Sequence, residues 1–94
     1  MATLDQRVAK ILSKSLKQGQ ADLEILPNGY IYGFVVSAEF EGLDYQARRL
    51  RIREILDRSV KAGKLSQEEL QRVGTLLTYT PAEWSVQVEN SSRQ

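Results

Sequence analysis

Four arginines fall within six residues in the run Arg48-Arg49-Leu50-Arg51-Ile52-Arg53. Guanidinium groups grip phosphates and carboxylates through paired N–H donors, so a cluster of this kind is equipped to hold an anion. Its setting sharpens the point. Asp44 is a good helix N-cap, which places Arg48, Arg49 and Arg51 in the first two turns of a helix. The macrodipole is positive there, and each cation is disfavoured by roughly a few tenths of a kcal/mol. Something anionic must offset this. Nucleic-acid phosphate is one candidate, and Lys61 and Lys64 extend the basic character toward it. The acids of the preceding bend, Glu39, Glu41 and Asp44, are the other. From Gln20 to Asp44 the chain carries five acids and no Lys or Arg. From Tyr45 to Lys64 it carries seven bases against Glu54 and Asp57. Such asymmetry marks either a binding face or a dipolar, solvated surface.

The remaining side-chain chemistry is sparse. There is no Cys, which excludes disulfides, thiolate nucleophiles and Cys-ligated metal sites within the chain. There is no His, the commonest general base and nitrogen ligand. A metal would have to be held by carboxylates, and these are scattered. We therefore expect no catalytic residues, no metal and no cofactor, and a function in binding rather than catalysis. Gly63-Lys64-Leu65-Ser66 joins two expected helices. It can be read as a helix stop followed by a helix start, or as a backbone-clamping G-x-x-G loop in which Ser66 replaces the second glycine.

The elements that must position these residues are legible. Leu4, Val8, Ile11, Leu12, Ser15 and Leu16 line one face of a helix over Thr3–Gln18, with Thr3 and Gln6 as a capping box and Gly19 as its terminator. Arg7, Lys10, Lys14 and Lys17 form a basic stripe beside that face. Ala21–Leu26 and Tyr30–Ala38 alternate as two strands of a hairpin around Asn28-Gly29. Tyr30, Tyr32, Phe34 and Val36 share one face, suited to sheet packing or to base stacking. Gly33, on the other face, marks a bulge or a close backbone approach. After a turn at Glu39–Leu43 comes a helix over Tyr45–Ala62, buried through Ile52, Ile55, Leu56, Ser59 and Val60 and stopped by Gly63. Ser66 and Glu69 open a short helix, Gly74–Tyr79 forms a third strand, and Thr80-Pro81-Ala82-Glu83 starts a last helix. Trp84 is expected to cover an open end of the core. The order α-β-β-α-α-β-α gives an α+β fold with a three-stranded mixed sheet covered by helices.

With 94 residues, 41% of them apolar and 27% charged, the chain supports one modest core. We expect a single domain over residues 1–86 and a polar, disordered tail over 87–94. No apolar run approaches a membrane span and no secretory leader is visible, so the expectation is a soluble cytoplasmic protein that does not engage membranes.

Three segments carry a family resemblance. Val36-Ser37-Ala38-Glu39-Phe40-Glu41-Gly42, then Arg48-Arg49 on a helix, then Leu76-Leu77-Thr78-Tyr79-Thr80-Pro81-Ala82-Glu83-Trp84 resemble the BolA family. Its members carry a V-S-x-x-F-x-G strand and bend, a helix opening with basic residues, and a last strand running into T-P-x-E-W. The resemblance spans roughly Leu4 to Trp84. It implies a fold similar to type II K-homology domains and a non-enzymatic regulatory or adaptor role. The partners it implies are a monothiol glutaredoxin and, for some members, DNA. With the charge pattern above, DNA or RNA is expected to be met by Arg48, Arg49, Arg51, Arg53, Lys61 and Lys64, and a glutaredoxin by Arg72, Tyr79 and Trp84. The oligomeric state expected is a monomer or weak homodimer. In the family, a histidine near the start of the last strand, often with a second His or a Cys in the first hairpin loop, serves iron–sulfur binding. Here Arg72 falls at the first position and the loop is Pro27-Asn28-Gly29, so the usual cluster ligands are not supplied.

Overall fold

The computed structural model describes residues 2–92. The elements run α1 (Leu4–Ser15), β1 (Gln20–Ile25), β2 (Ile31–Val36), a 3-10 turn (Ala38–Phe40), α2 (Tyr45–Lys61), α3 (Gln67–Gln71), β3 (Val73–Tyr79) and α4 (Pro81–Ser92). This is the expected α+β order. The sheet order is β1-β2-β3, with β1 antiparallel and β3 parallel to β2, so the sheet is mixed.

Side-chain periodicity decides how the layers stack. Val8, Leu12 and Leu16 recur every four residues along one side of the α1 segment, and Ile52, Ile55 and Leu56 share one side of α2. These stripes close over the sheet face bearing Leu23, Ile31, Val35 and Leu76. Phe40, Leu65 and Leu70 belong to the same core. Each such side chain contributes about 2 kcal/mol through removal from water.

The first helix ends earlier than expected, at Ser15 rather than Gln18. The left-handed residue that turns the chain is Gln18, with φ 51°, and not Gly19. Gly19 serves by its size: a β-carbon there would lie 2.9 Å from the Ser13 carbonyl oxygen and 3.0 Å from Leu16 Cβ. Gly33 answers both readings made of it. A β-carbon at Gly33 would run into the Asp22 carbonyl oxygen and lie 2.9 Å from Leu23 Cα across the ladder. It also adjoins a bulge, since Ile31 pairs with Val73 but Gly33 pairs with Leu76.

The second strand stops at Val36, where the sequence suggests Ala38. The physical reason is Ser37, which is fully buried. Its hydroxyl donates to the Lys17 carbonyl at 2.8 Å and accepts from the Glu39 N–H at 3.1 Å, pulling the chain out of the ladder into the 3-10 turn. Phe40, at the end of that turn, is buried in the core.

Trp84 is placed differently from expectation. It packs on the sheet face opposite the main core, stacked on Phe34 with ring centroids 4.2 Å apart and tilted against Tyr79 at 5.4 Å. Phe34 and Tyr79 project to that face because they alternate with Val35 and Thr78. The helix opened by Pro81 continues through Ser92, so residues 87–92 of the expected tail are helical and residues 93–94 lie outside the described residues. Among the described residues, no helix is long and apolar enough to cross a membrane.

Candidate functional site

Asp44 caps α2 as its residue type predicts, accepting the Ala47 N–H at 2.8 Å. The arginines that follow are divided by helical spacing between two sides of α2, and most have partners within the fold. Arg48 is the most committed. Its guanidinium donates to both carboxylate oxygens of Glu83, at 2.8 and 3.2 Å, and to the carbonyls of Leu43 and Thr78 at 3.0 and 3.3 Å. It also lies 5.8 Å from the centre of the Phe40 ring. Arg51 pairs with Glu39 at 3.2 Å and with Glu54 at 3.5 Å. Glu39 additionally accepts the Lys17 N–H at 2.6 Å, so one carboxylate ties the end of α1 to α2. The acidic bend thus neutralises Arg51, while Arg48 is neutralised by Glu83, an acid far along the chain.

Arg49 and Arg53 face elsewhere. Together with Ile52, Leu56, Leu70, Val73, Gly74 and Leu76 they line a groove of about 160 Å³ between α2, α3 and β3. Ile52, Leu56, Leu70 and Leu76 form its apolar floor. Arg53 makes an exposed i, i+4 pair with Asp57 at 3.2 Å. Arg49 has no acidic partner among the described residues. Lys64 lies on the opposite side of α2, in a cleft with Ser15, Arg51 and Arg58. Lys61 is exposed at the end of α2. The six bases therefore do not converge: Arg49 and Arg53 share one groove, Arg51 and Lys64 another, and Arg48 belongs to the packing of α4.

The residues expected at a protein contact also separate. Arg72 precedes β3 beside Pro27, Asn28, Gly29 and Tyr30, and pairs with Glu68 at 3.0 Å. Tyr79 and Trp84 sit at the other end of β3, roughly 20 Å away for a seven-residue strand. The hairpin loop and Arg72 lie together in space.

Two carboxyls are held below their ordinary range. For Glu83 the hydrogen bond from Arg48 is the largest cause, followed by the Thr80 N–H. For Glu69 the Arg7 hydrogen bond leads, followed by the Ser66 N–H. Both are third helical residues reaching back to their caps, at 2.9 Å in each case. Arg7 also donates to the Lys64 carbonyl at 2.7 Å, so the Gly63–Ser66 junction is fastened to α1.

Sequence reasoning missed Glu83 as the partner of Arg48. The T-x-x-E capping box was the available signal, because it places a carboxylate at a helix start. Comparison with protein-family models, with curated proteins and with solved structures finds no match.

Proposed function

We propose that the chain is a non-enzymatic, BolA-like adaptor domain that binds a macromolecular partner along the groove between α2, α3 and β3. The observation that supports this most is the position of Arg49, a cation without an acidic partner among the described residues, over an apolar floor. A surface arginine beside buried leucines offers both an anchor and a charge to a partner. The resemblance implies a monothiol glutaredoxin as partner, expected through Arg72, Tyr79 and Trp84; the groove beside Arg49 is proposed as its seat instead, so a glutaredoxin is the first partner to examine. The test is titration of purified monothiol glutaredoxin against wild type and Arg49→Glu. Binding that weakens in the variant supports the reading. Absence of binding to any macromolecule, or binding indifferent to Arg49, overturns it.

Nucleic acid is the second reading, favoured by Lys61 and Lys64, which with Arg49 form no ion pair among the described residues. It expects affinity for labelled DNA or RNA that falls steeply with salt. Salt-insensitive binding, or none at low salt, counts against it.

A further inference from the structure

The two edges of the sheet are guarded unequally. Strands with an unpaired edge usually carry charges or proline that discourage another chain from adding to them. The β1 edge carries Asp22 and Glu24. The β3 edge, Val-Gly-Thr-Leu-Leu-Thr-Tyr, carries no charge and no proline. On one side β3 pairs with β2, and on the other no strand pairs with it among the described residues. The Tyr79 carbonyl accepts from the Ser37 N–H of the chain following β2. The Thr78 carbonyl, one residue earlier, therefore points to the free side, where Arg48 occupies it. The open stretch of edge is Val73–Leu77, alongside the groove.

We propose that this stretch docks an extended acidic peptide, which adds a fourth strand to β3, inserts one apolar side chain into the groove and sets a carboxylate against Arg49 and Arg53. The proposal rests on the groove reading above and names its occupant. Three features select a peptide. The groove, about 160 Å³, is close to the size of a cavity that takes one benzene ring. That is room for a single anchor side chain, well below the roughly 300 Å³ at which small-molecule sites begin. The floor is buried hydrocarbon: Ile52, Leu56, Leu70 and Leu76 are 2–7% exposed. The rim is cationic, and the Arg53–Asp57 pair is exposed enough to exchange for an incoming acid. A nucleic-acid strand would find no aromatic platform among the residues lining the groove. A second copy pairing through β3 would bring no acid on that strand to meet Arg49.

The test is selection of a random heptapeptide display library on the full chain, in parallel on wild type and Arg49→Glu. Sequences pairing an apolar residue with Asp or Glu two positions away, on the same face of a strand, should be enriched on wild type only. The best peptide, synthesised, should bind about tenfold more weakly to Arg49→Glu. Methylation of its alternate backbone nitrogens should abolish binding, and its amide shift changes should cluster at 73–77. Enrichment of basic peptides, no enrichment, or indifference to Arg49→Glu overturns the proposal. If no peptide is enriched but a glutaredoxin or labelled nucleic acid still loses affinity in Arg49→Glu, the groove reading stands and the peptide falls. If no macromolecule depends on Arg49, both fall.

Discussion

Arg48 on α2 and Glu83 on α4 form a two-pronged ion pair, Nη1 to Oε1 at 2.8 Å and Nη2 to Oε2 at 3.2 Å, joining the first turns of two helices 35 residues apart in the chain. Each helix start is electropositive, which suits Glu83 and not Arg48. Pairing the two removes the conflict. The Arg48 side chain is only 12% exposed, so this arginine is part of the fold's interior bonding and poorly placed to meet a partner.

Arg48 and Arg49, adjacent in sequence, should therefore separate cleanly by mutation. Arg48→Met is expected to cost about 1 kcal/mol, since it strips partners from Glu83 and from two carbonyls but leaves a half-exposed carboxylate that water can reach. Arg48→Lys should recover little of this, because an ammonium cannot reproduce the fork. Arg49→Glu should change stability by less than about 0.5 kcal/mol. Urea melts of the three variants check the ordering. Equal losses at both positions would contradict this division of roles.

Acid should loosen the same joints. The Glu83 and Glu69 carboxyls titrate below their ordinary value of 4.5 in the folded chain. A depressed folded-state value means the folded chain binds the proton less readily than the unfolded chain. Their contribution is complete above 4.5 and disappears as the pH falls through the lower folded-state values. Melting temperatures followed from pH 7 into acid should decline below that point. Glu83→Gln should show a shallower acid decline, with part of the stability already missing at neutral pH. An unchanged acid slope in Glu83→Gln would exclude this carboxyl as a contributor.

The element order was open to sequence reading because each element has its own punctuation. Asp44, Ser66 and Thr80 are caps whose hydrogen bonds are all made. The arginine pairings were not open to it. A cation's partner depends on which chain segments meet, and Arg48 finds its acid 35 residues away while Arg49, one step round the helix, finds none among the described residues. Trp84 was misplaced for a related reason: its size requires cover, but only the register of β2 with β3 shows that Phe34 and Tyr79 supply it on the outer face.

The end of α1 yields a paired prediction. Gln18 holds φ 51°, a region that disfavours residues with a β-carbon by about 1 kcal/mol. Gln18→Gly should therefore stabilise the chain by roughly that amount, less the entropy glycine adds to the unfolded state. Gly19→Ala should destabilise it by about 1–3 kcal/mol, because the new methyl meets the Ser13 carbonyl and Leu16 rather than open space. The opposite pattern, with Gly19 tolerant and Gln18→Gly destabilising, would show that the helix terminates as the sequence alone implied.

Thr78 is a polar residue buried on the inner face of β3. It is 5% exposed, and its hydroxyl has no hydrogen-bond partner among the described residues. It alternates with Leu76 on the core side of β3, opposite Val35. A buried hydroxyl without a partner costs roughly 1–3 kcal/mol relative to its hydrated state. Valine has nearly the same shape and a strong preference for strands. Thr78→Val should therefore raise stability by about 1 kcal/mol, read as a higher urea midpoint with an unchanged slope. Because the Thr78 carbonyl, not its hydroxyl, receives Arg48, the substitution should leave the Arg48–Glu83 joint intact. A destabilised Thr78→Val would mean that the hydroxyl is satisfied by internal water, and that this part of the core is wetter than its apolar lining implies.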